Sequence, residues 1–273
     1  MVFNMGIIKP LLFISLIMAG VGCRSSDGDG GGLSNNACGL IGLPTKKSLV
    51  RIINGTSCGD LYRSPVVRVI LVDGSGRQSG CTGTMISDKA VLTAAHCFMG
   101  RPRRVFIVYG DEPDTEAVMA SDWDVHPNFG GMGATLFNDV AVIHLPRGLD
   151  LPLIPVLVNG SIKNGDVTAI YGYGQDEDGN LDFKDLQSGE MRVSEVTKRN
   201  IRCDFGGEGS NTCLGDSGGP LVLSMDGQPT VVGITSTGTK TDCSKGDNSY
   251  FTNVLDPNVI SFLRRVAPNA WYY

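Results

Sequence analysis

The chain contains only three histidines (His96, His126 and His144) and two tryptophans, and its eight cysteines include no Cys-x-x-Cys pair. None of these residues has zinc-finger spacing, so neither a metal nor another cofactor is expected. Charge is also sparse: charged residues make up 19% of the sequence, and the net charge is −5. Residues 1–51 are on balance basic, which leaves the remainder more acidic still. That balance argues against a nucleic-acid partner. The N-terminal apolar run, Leu11 to Val21, is too short to span a bilayer. With 37 glycines and 13 prolines in 273 residues, turns must be frequent, which suits short strands better than long helices.

The cysteines read better as disulfides, which require an oxidising compartment. Lys9 followed by the Leu11–Val21 run has the form of a secretory signal over residues 1–22. The segment Met18-Ala19-Gly20-Val21-Gly22-Cys23 resembles a bacterial lipoprotein signal, although Gly20 stands where leucine is usual. That resemblance implies lipidation of Cys23 and a cell-envelope lipoprotein; the alternative is simple secretion. Residues 24–36 are polar and glycine-rich and read as a flexible tether. The tether is expected to bury too little surface to hold a domain by itself.

Beyond residue 51, short β-branched runs are broken by turn residues. Val66–Val72, Cys81–Ile86, Ala90–Thr93, Val105–Tyr109 and Val140–Leu145 form a first group. Val167–Tyr171, Met191–Val196, Leu221–Leu223, Val231–Thr235 and Tyr250–Val254 form a second, after a crossover at Pro152-Leu153-Ile154-Pro155. After Asp256-Pro257, Val259, Ile260, Phe262, Leu263 and Val266 share one helical face. The expected fold is all-β, with one barrel over residues 52–158 and a second barrel plus C-terminal helix over 159–273.

Three segments carry chemistry: Leu92-Thr93-Ala94-Ala95-His96-Cys97, Asn138-Asp139-Val140-Ala141-Val142 and Gly215-Asp216-Ser217-Gly218-Gly219-Pro220. Acyl transfer by a serine needs a base, a carboxylate that fixes the base's tautomer, and donors for the oxyanion. His96, Asp139 and Ser217 supply the side chains, and the glycines around Ser217 leave Gly215 and Ser217 free to present N–H groups. At these residues the chain resembles the trypsin/chymotrypsin-type serine proteases, from Ile52 to about Val266. The resemblance implies two packed six-stranded antiparallel barrels, a monomer, protein or peptide substrates, and a site between the barrels.

The resemblance extends to Arg51-Ile52-Ile53-Asn54-Gly55, which matches the family's activation site. It implies a zymogen that another protease cuts after Arg51, so that the freed ammonium of Ile52 pairs with Asp216. Tyr171-Gly172-Tyr173-Gly174 matches a structural turn. Family-like spacing implies the bridges Cys81–Cys97 and Cys213–Cys243. The usual partner position of Cys58 is Ser188 here, and Cys203 has no evident counterpart, so the pairing of Cys38, Cys58 and Cys203 stays open. A bond from Cys38 to either would keep the enzyme on its anchor after cleavage. Asn211 falls at the floor of the specificity pocket, where trypsin-like members carry aspartate, with Ser249 or Asn248 beside it. Asp242 and Asp247 enter only if that register slips. Ser236 and Gly238 form the edge that pairs with substrate, and Thr237 replaces the usual tryptophan between them. His126 is expected in a surface turn, His144 in a barrel strand, and Asp111, Glu112, Asp114 and Glu116 in a solvated turn.

Two rival readings, an adhesin or other binding module and an esterase, fit the sequence less well. A catalytically silent binding module usually loses the histidine or serine, and both stand here. An α/β-hydrolase shares the Gly-x-Ser-x-Gly letters, but its nucleophile leads into a helix and its histidine follows the serine. Here Pro220 leads into an apolar run, and no histidine follows Ser217.

Overall fold

The β-branched runs become strands whose alternate residues feed two cores. The computed structural model describes residues 37–46, 52–111, 113–175 and 183–273. The proposed signal, Cys23, the polar tether, Arg51 and Glu112 lie outside the described residues.

The first half contains β1 (Thr56–Ser57), β2 (Val66–Val72), β3 (Gln78–Ser87), β4 (Ala90–Thr93), β5 (Arg104–Tyr109), β6 (Glu116–Met119), β7 (Asp122–Val125), β8 (Gly130–Met132), β9 (Thr135–Phe137) and β10 (Ala141–His144). The second contains β11 (Val167–Gly172), β12 (Gln187–Val196), β13 (Asn200–Asp204), β14 (Pro220–Met225), β15 (Gln228–Gly238) and β16 (Asn248–Asn253). Every pairing between these strands is antiparallel.

In the first sheet the order is β6-β5-β2-β3-β4-β10-β7. Its two edges are consecutive in the chain. Ala120 N–H still donates to Val105 at 2.8 Å, whereas Ser121 N–H donates to His144 at 2.9 Å. One strand therefore bends at Ala120–Ser121 and changes neighbours, so the seven segments describe a six-stranded barrel with a corner. The second sheet closes directly: β12-β11-β14-β15-β16-β13, with β13 pairing back to β12 and β1 added outside β12.

Strand alternation divides the side chains between the cores. In β10, Ala141 and Ile143 point into the first barrel's core, and Val142 points, with Val140, into the larger core that fills the second barrel and the junction. The C-terminal helix Pro257–Val266 starts where expected. The Asp256 side chain caps it by accepting from Asn258 N–H at 3.0 Å, and Val259, Phe262 and Leu263 are buried.

Residues 37–46 are part of the folded body. A short helix, Ala37–Leu40, leads into Ile41 and Leu43, and Ala37, Cys38, Ile41 and Leu43 are all buried in the larger core. Cys38 is bonded to Cys58, the Tyr171 hydroxyl donates to the Ala37 carbonyl, and Thr45 bridges to Cys58. The reason is composition: Ala-Cys-Gly-Leu-Ile-Gly-Leu is apolar where the tether before it is polar. Cys38 also settles the Ser188 puzzle, because its sulfur lies 3.2 Å from the Ser188 hydroxyl. The bridge reaches Cys58 from the segment before Arg51 rather than from β12. Cys81–Cys97 and Cys213–Cys243 are bonded as the resemblance implies, and Cys203 is a buried free thiol. Three disulfides fit an oxidising compartment.

Candidate active site

His96 sits in a single turn of tight helix, Ala95–Phe98, directly after β4, and the Cys81–Cys97 bond ties that turn to β3. Asp139 precedes β10, and β10 pairs with β4 in a register that sets Ala141 opposite Thr93. The ladder thus brings the aspartate under the histidine. Asp139 is fully buried. One of its oxygens accepts the His96 backbone N–H at 2.8 Å, and the other lies 2.8 Å from His96 Nδ1. The Ser236 hydroxyl donates to that second oxygen at 2.5 Å. Three donors thus hold the carboxylate on one edge of the imidazole, which directs Nδ1–H inward and leaves Nε2 to the cleft.

Ser217 approaches from the other barrel, on the turn before β14. Its carbonyl accepts Thr82 N–H at 2.8 Å, and the Thr82 hydroxyl donates to the Gly215 carbonyl at 2.9 Å. Thr82 of β3 therefore fastens the serine turn to the first barrel. Gly218 is required here. It lies at φ +83°, and a Cβ on it would come within 2.4 Å of the Thr82 carbonyl and closer still to the Thr93 hydroxyl. Ser217, Gly215 and His96 line one cleft. Among the described residues, the N–H groups of Gly215 and Ser217 have no hydrogen-bond acceptor.

Asp216 points away from the cleft and is fully buried. Its carboxyl accepts the N–H groups of Gly174 and Cys213, each at 2.8 Å. Burial pushes its pKa up to about 7 against the pull of those two bonds. The Ile52 side chain is buried as well, and Ile53 is bridged to Asn211 through Asn211 N–H at 3.2 Å.

Asn211 lies in a buried polar cluster. Its amide donates to the Cys243 carbonyl at 3.0 Å and to Asp247 at 2.9 Å. Both partners are acceptors, so the amide orientation is forced. The Ser249 hydroxyl donates to Asn211 Oδ1 at 2.8 Å and stands 2.7 Å from Thr212 Oγ1. Ser249, rather than Asn248, is thus the residue beside Asn211. Asp242 hydrogen-bonds Ser244 N–H on the exposed surface, whereas Asp247 is buried against Asn211 and Gly238.

Other residues depart from expectation or take simple structural roles. His126 is no surface residue: it is buried against the Phe262 ring and accepts Asn128 N–H on Nδ1, and burial lowers its pKa. His144 lies in β10, 2.8 Å from Asp124. Asp111 accepts Leu61 N–H and Glu116 accepts the Tyr109 hydroxyl. The metal-like group Cys81–His96–Cys97 contains a disulfide, so its sulfurs are not thiolates. Sequence reasoning missed Thr82 and the role of the Ser236 hydroxyl, since neither carries a local signal. It also missed Arg68, which had one: a lone arginine inside Val-Val-Arg-Val-Ile.

The family model described as Trypsin matches residues 52–259. The chain belongs to the trypsin family. Among its trypsin-family relatives, brachyurin of Leptuca pugilator is 32% identical over 194 residues, covering 64% of this chain and 82% of that protein. CLIP domain-containing serine protease B4 of Anopheles gambiae is 28% identical over 213 residues, covering 64% of this chain and 59% of that one. The solved structure described as HL collagenase superposes with a TM-score of 0.68 over 81% of this chain and all of the other, at 23% identity. That last likeness shows the fold alone. The trypsin-family relatives support proteolysis as the activity.

Proposed function

We propose that this protein is an exported serine endopeptidase, made as a zymogen and anchored through a lipidated Cys23, that hydrolyses peptide bonds in protein or peptide substrates. The observation that carries the reading is the buried Asp139 carboxylate, held against His96 Nδ1 at 2.8 Å, with His96 and Ser217 lining one cleft. In the proposed reaction the Ser217 hydroxyl attacks the scissile carbonyl while His96 Nε2 takes its proton. The oxyanion is received by the N–H groups of Gly215 and Ser217. His96 then protonates the departing amine, and water, deprotonated by the same nitrogen, hydrolyses the acyl-enzyme. Asp139 stabilises the imidazolium at each stage without taking the proton.

Activation is proposed to follow cleavage after Arg51. Asp216 is a buried carboxyl without a cation among the described residues, and a new ammonium at Ile52 would supply one. Residues 37–46 would then stay behind as a small second chain, held by Cys38–Cys58 and by their own buried side chains. Asn211, Ser249, Ser236 and Gly238 are assigned to the substrate's acyl side. The test is Ser217→Ala: it is expected to abolish labelling by a fluorophosphonate and to lower turnover by orders of magnitude. A variant that keeps both label and activity refutes the assignment.

A further inference from the structure

We infer that the Thr82 hydroxyl sets the direction of the oxyanion donors, which makes Thr82 a positioning residue for acyl transfer. This inference rests on the peptidase reading. Two N–H groups are assigned to the oxyanion, those of Gly215 and Ser217, and the carbonyls of both residues are held by Thr82. Its N–H donates to the Ser217 carbonyl at 2.8 Å, and its hydroxyl donates to the Gly215 carbonyl at 2.9 Å. The first bond uses only backbone and would form with any residue but proline at position 82. The second depends on the side chain. Among the described residues no other donor reaches the Gly215 carbonyl. Gly215 needs such a hold, because it lies at φ +98° and glycine moves between positive and negative φ at little cost. Its N–H and its carbonyl lie on the two peptide planes that meet at one Cα, so a pinned carbonyl restrains the swing of the N–H.

The hydroxyl is itself oriented from behind. Tyr173 N–H donates to Thr82 Oγ1 at 3.2 Å, which occupies a lone pair and leaves the hydroxyl hydrogen to Gly215. Thr82 is fully buried, so bulk water does not compete for these bonds. The Tyr173 end is rigid. Its ring is buried, its hydroxyl donates to the Val66 carbonyl at 3.1 Å, and the buried Arg68 guanidinium lies 5.6 Å from the ring centre. Arg68 is fixed in turn, donating from Nη1 to the Phe183 carbonyl and from Nη2 to the Gly110 carbonyl, both at 3.1 Å. The residue after Tyr173, Gly174, donates its N–H to Asp216 at 2.8 Å. A closed circuit results: from Asp216 to Gly174, Tyr173, Thr82 and Gly215, and back to Asp216 through one peptide bond. The Thr82 hydroxyl is the link that the first barrel supplies. Without it, Gly215 is tied to the circuit by covalent bonds alone.

The test compares Thr82→Ala, which removes the hydroxyl, with Thr82→Ser, which keeps it and loses the methyl. Both side chains are smaller than threonine and both keep the backbone N–H, so both variants are expected to fold, which thermal unfolding checks. Each protein, activated by cleavage after Arg51, is assayed for kcat and KM on a library-selected peptide anilide and for inhibition by a peptide aldehyde of the same sequence. As the bond from Ser217 Oγ to the aldehyde carbon forms, the carbonyl π pair moves to oxygen and the hydroxyl proton to His96. The adduct therefore carries the oxyanion that the donors receive. Thr82→Ala is expected to lower kcat by about tenfold to a hundredfold, no more than deleting a donor outright, with KM within about twofold. Aldehyde affinity should fall by the same factor, and the pH midpoint of kcat/KM, set by His96, should not move. Thr82→Ser should stay within about threefold of the parent. Unchanged kcat in Thr82→Ala, a loss of kcat without a matching loss of aldehyde affinity, or an equal loss in Thr82→Ser overturns the positioning role alone. A parent enzyme that turns over no peptide of the library and binds no aldehyde overturns the peptidase reading and this inference with it.

Discussion

The uncut protein should become less stable as pH rises from about 4 to about 7, because of a single carboxyl. In the folded chain, burial pushes Asp216 up to about 7, with Cys213 and Gly174 N–H groups pulling the other way. In the unfolded chain an aspartate titrates near ~3.9. Between those values the folded state holds a proton that the unfolded state has released. The folded state binds more protons there, so unfolding becomes easier with rising pH. The effect begins near the unfolded value and levels off above the folded one. A gap of about three units corresponds to about 4 kcal/mol, an upper figure for one group. The assay uses Arg51→Gln, which keeps the chain uncut, in urea unfolding at a series of pH values. The same chain with Asp216→Asn provides the reference, since its side chain does not titrate. The difference between the two pH slopes is the quantity of interest. Superimposable slopes would refute the argument. In the cleaved protein the sign should reverse: an Ile52 ammonium favours the charged carboxylate, so stability should be present at neutral pH and fall on acidification through the lowered pKa.

Three further outcomes are expected. Asp139→Asn removes the acceptor that fixes the His96 tautomer and should lower kcat by about 10⁴, with unchanged thermal unfolding of the barrels; wild-type kcat would exclude that role. Cys38→Ser should let the catalytic domain partition from the membrane fraction after cleavage once mild urea loosens residues 37–46, whereas the parent chain should need reductant as well; equal release from both would show that the bridge does not retain the enzyme. Cleavage after Arg or Lys should be weak in a peptide library, because Asn211 offers no charge and its amide hydrogens are committed to Cys243 and Asp247. Asn211→Asp should raise it, and strong Arg selection by the parent chain would show that Asp247 is felt in the pocket.

The barrels were legible because most of their strands contain a short β-branched run bounded by turn residues, and the helix because Asp256-Pro257 precedes a clean apolar face. The proximity of His96 and Asp139 could be read from motif order through the resemblance, and the β4–β10 ladder is its physical cause. What stayed hidden depends on contacts distant in sequence. The Cys38–Cys58 bond requires the chain before Arg51 to lie across β1 and β12, and no local pattern announces such a path. The Ser236 hydroxyl reaches Asp139 across 97 positions. The strand that bends at Ala120–Ser121 lies in a stretch with no β-branched run to announce it. For Phe183, propensity is misleading, since the residue takes a backbone conformation suited to glycine because a guanidinium from β2 holds its carbonyl.

The Cys38–Cys58 bond separates cutting from dismantling. Hydrolysis at Arg51 would add one water and one pair of chain ends, and every atom of the precursor would remain in the same particle. Hydrodynamic radius, native mass and migration without reductant would then be nearly blind to the event. A cell or a purification scheme that sorts molecules by size would treat precursor and product alike. Counting α-amino groups, or sequencing the new Ile52 terminus, would tell them apart. A pool of this protein that looks homogeneous on a sizing column can therefore hold any mixture of the two states.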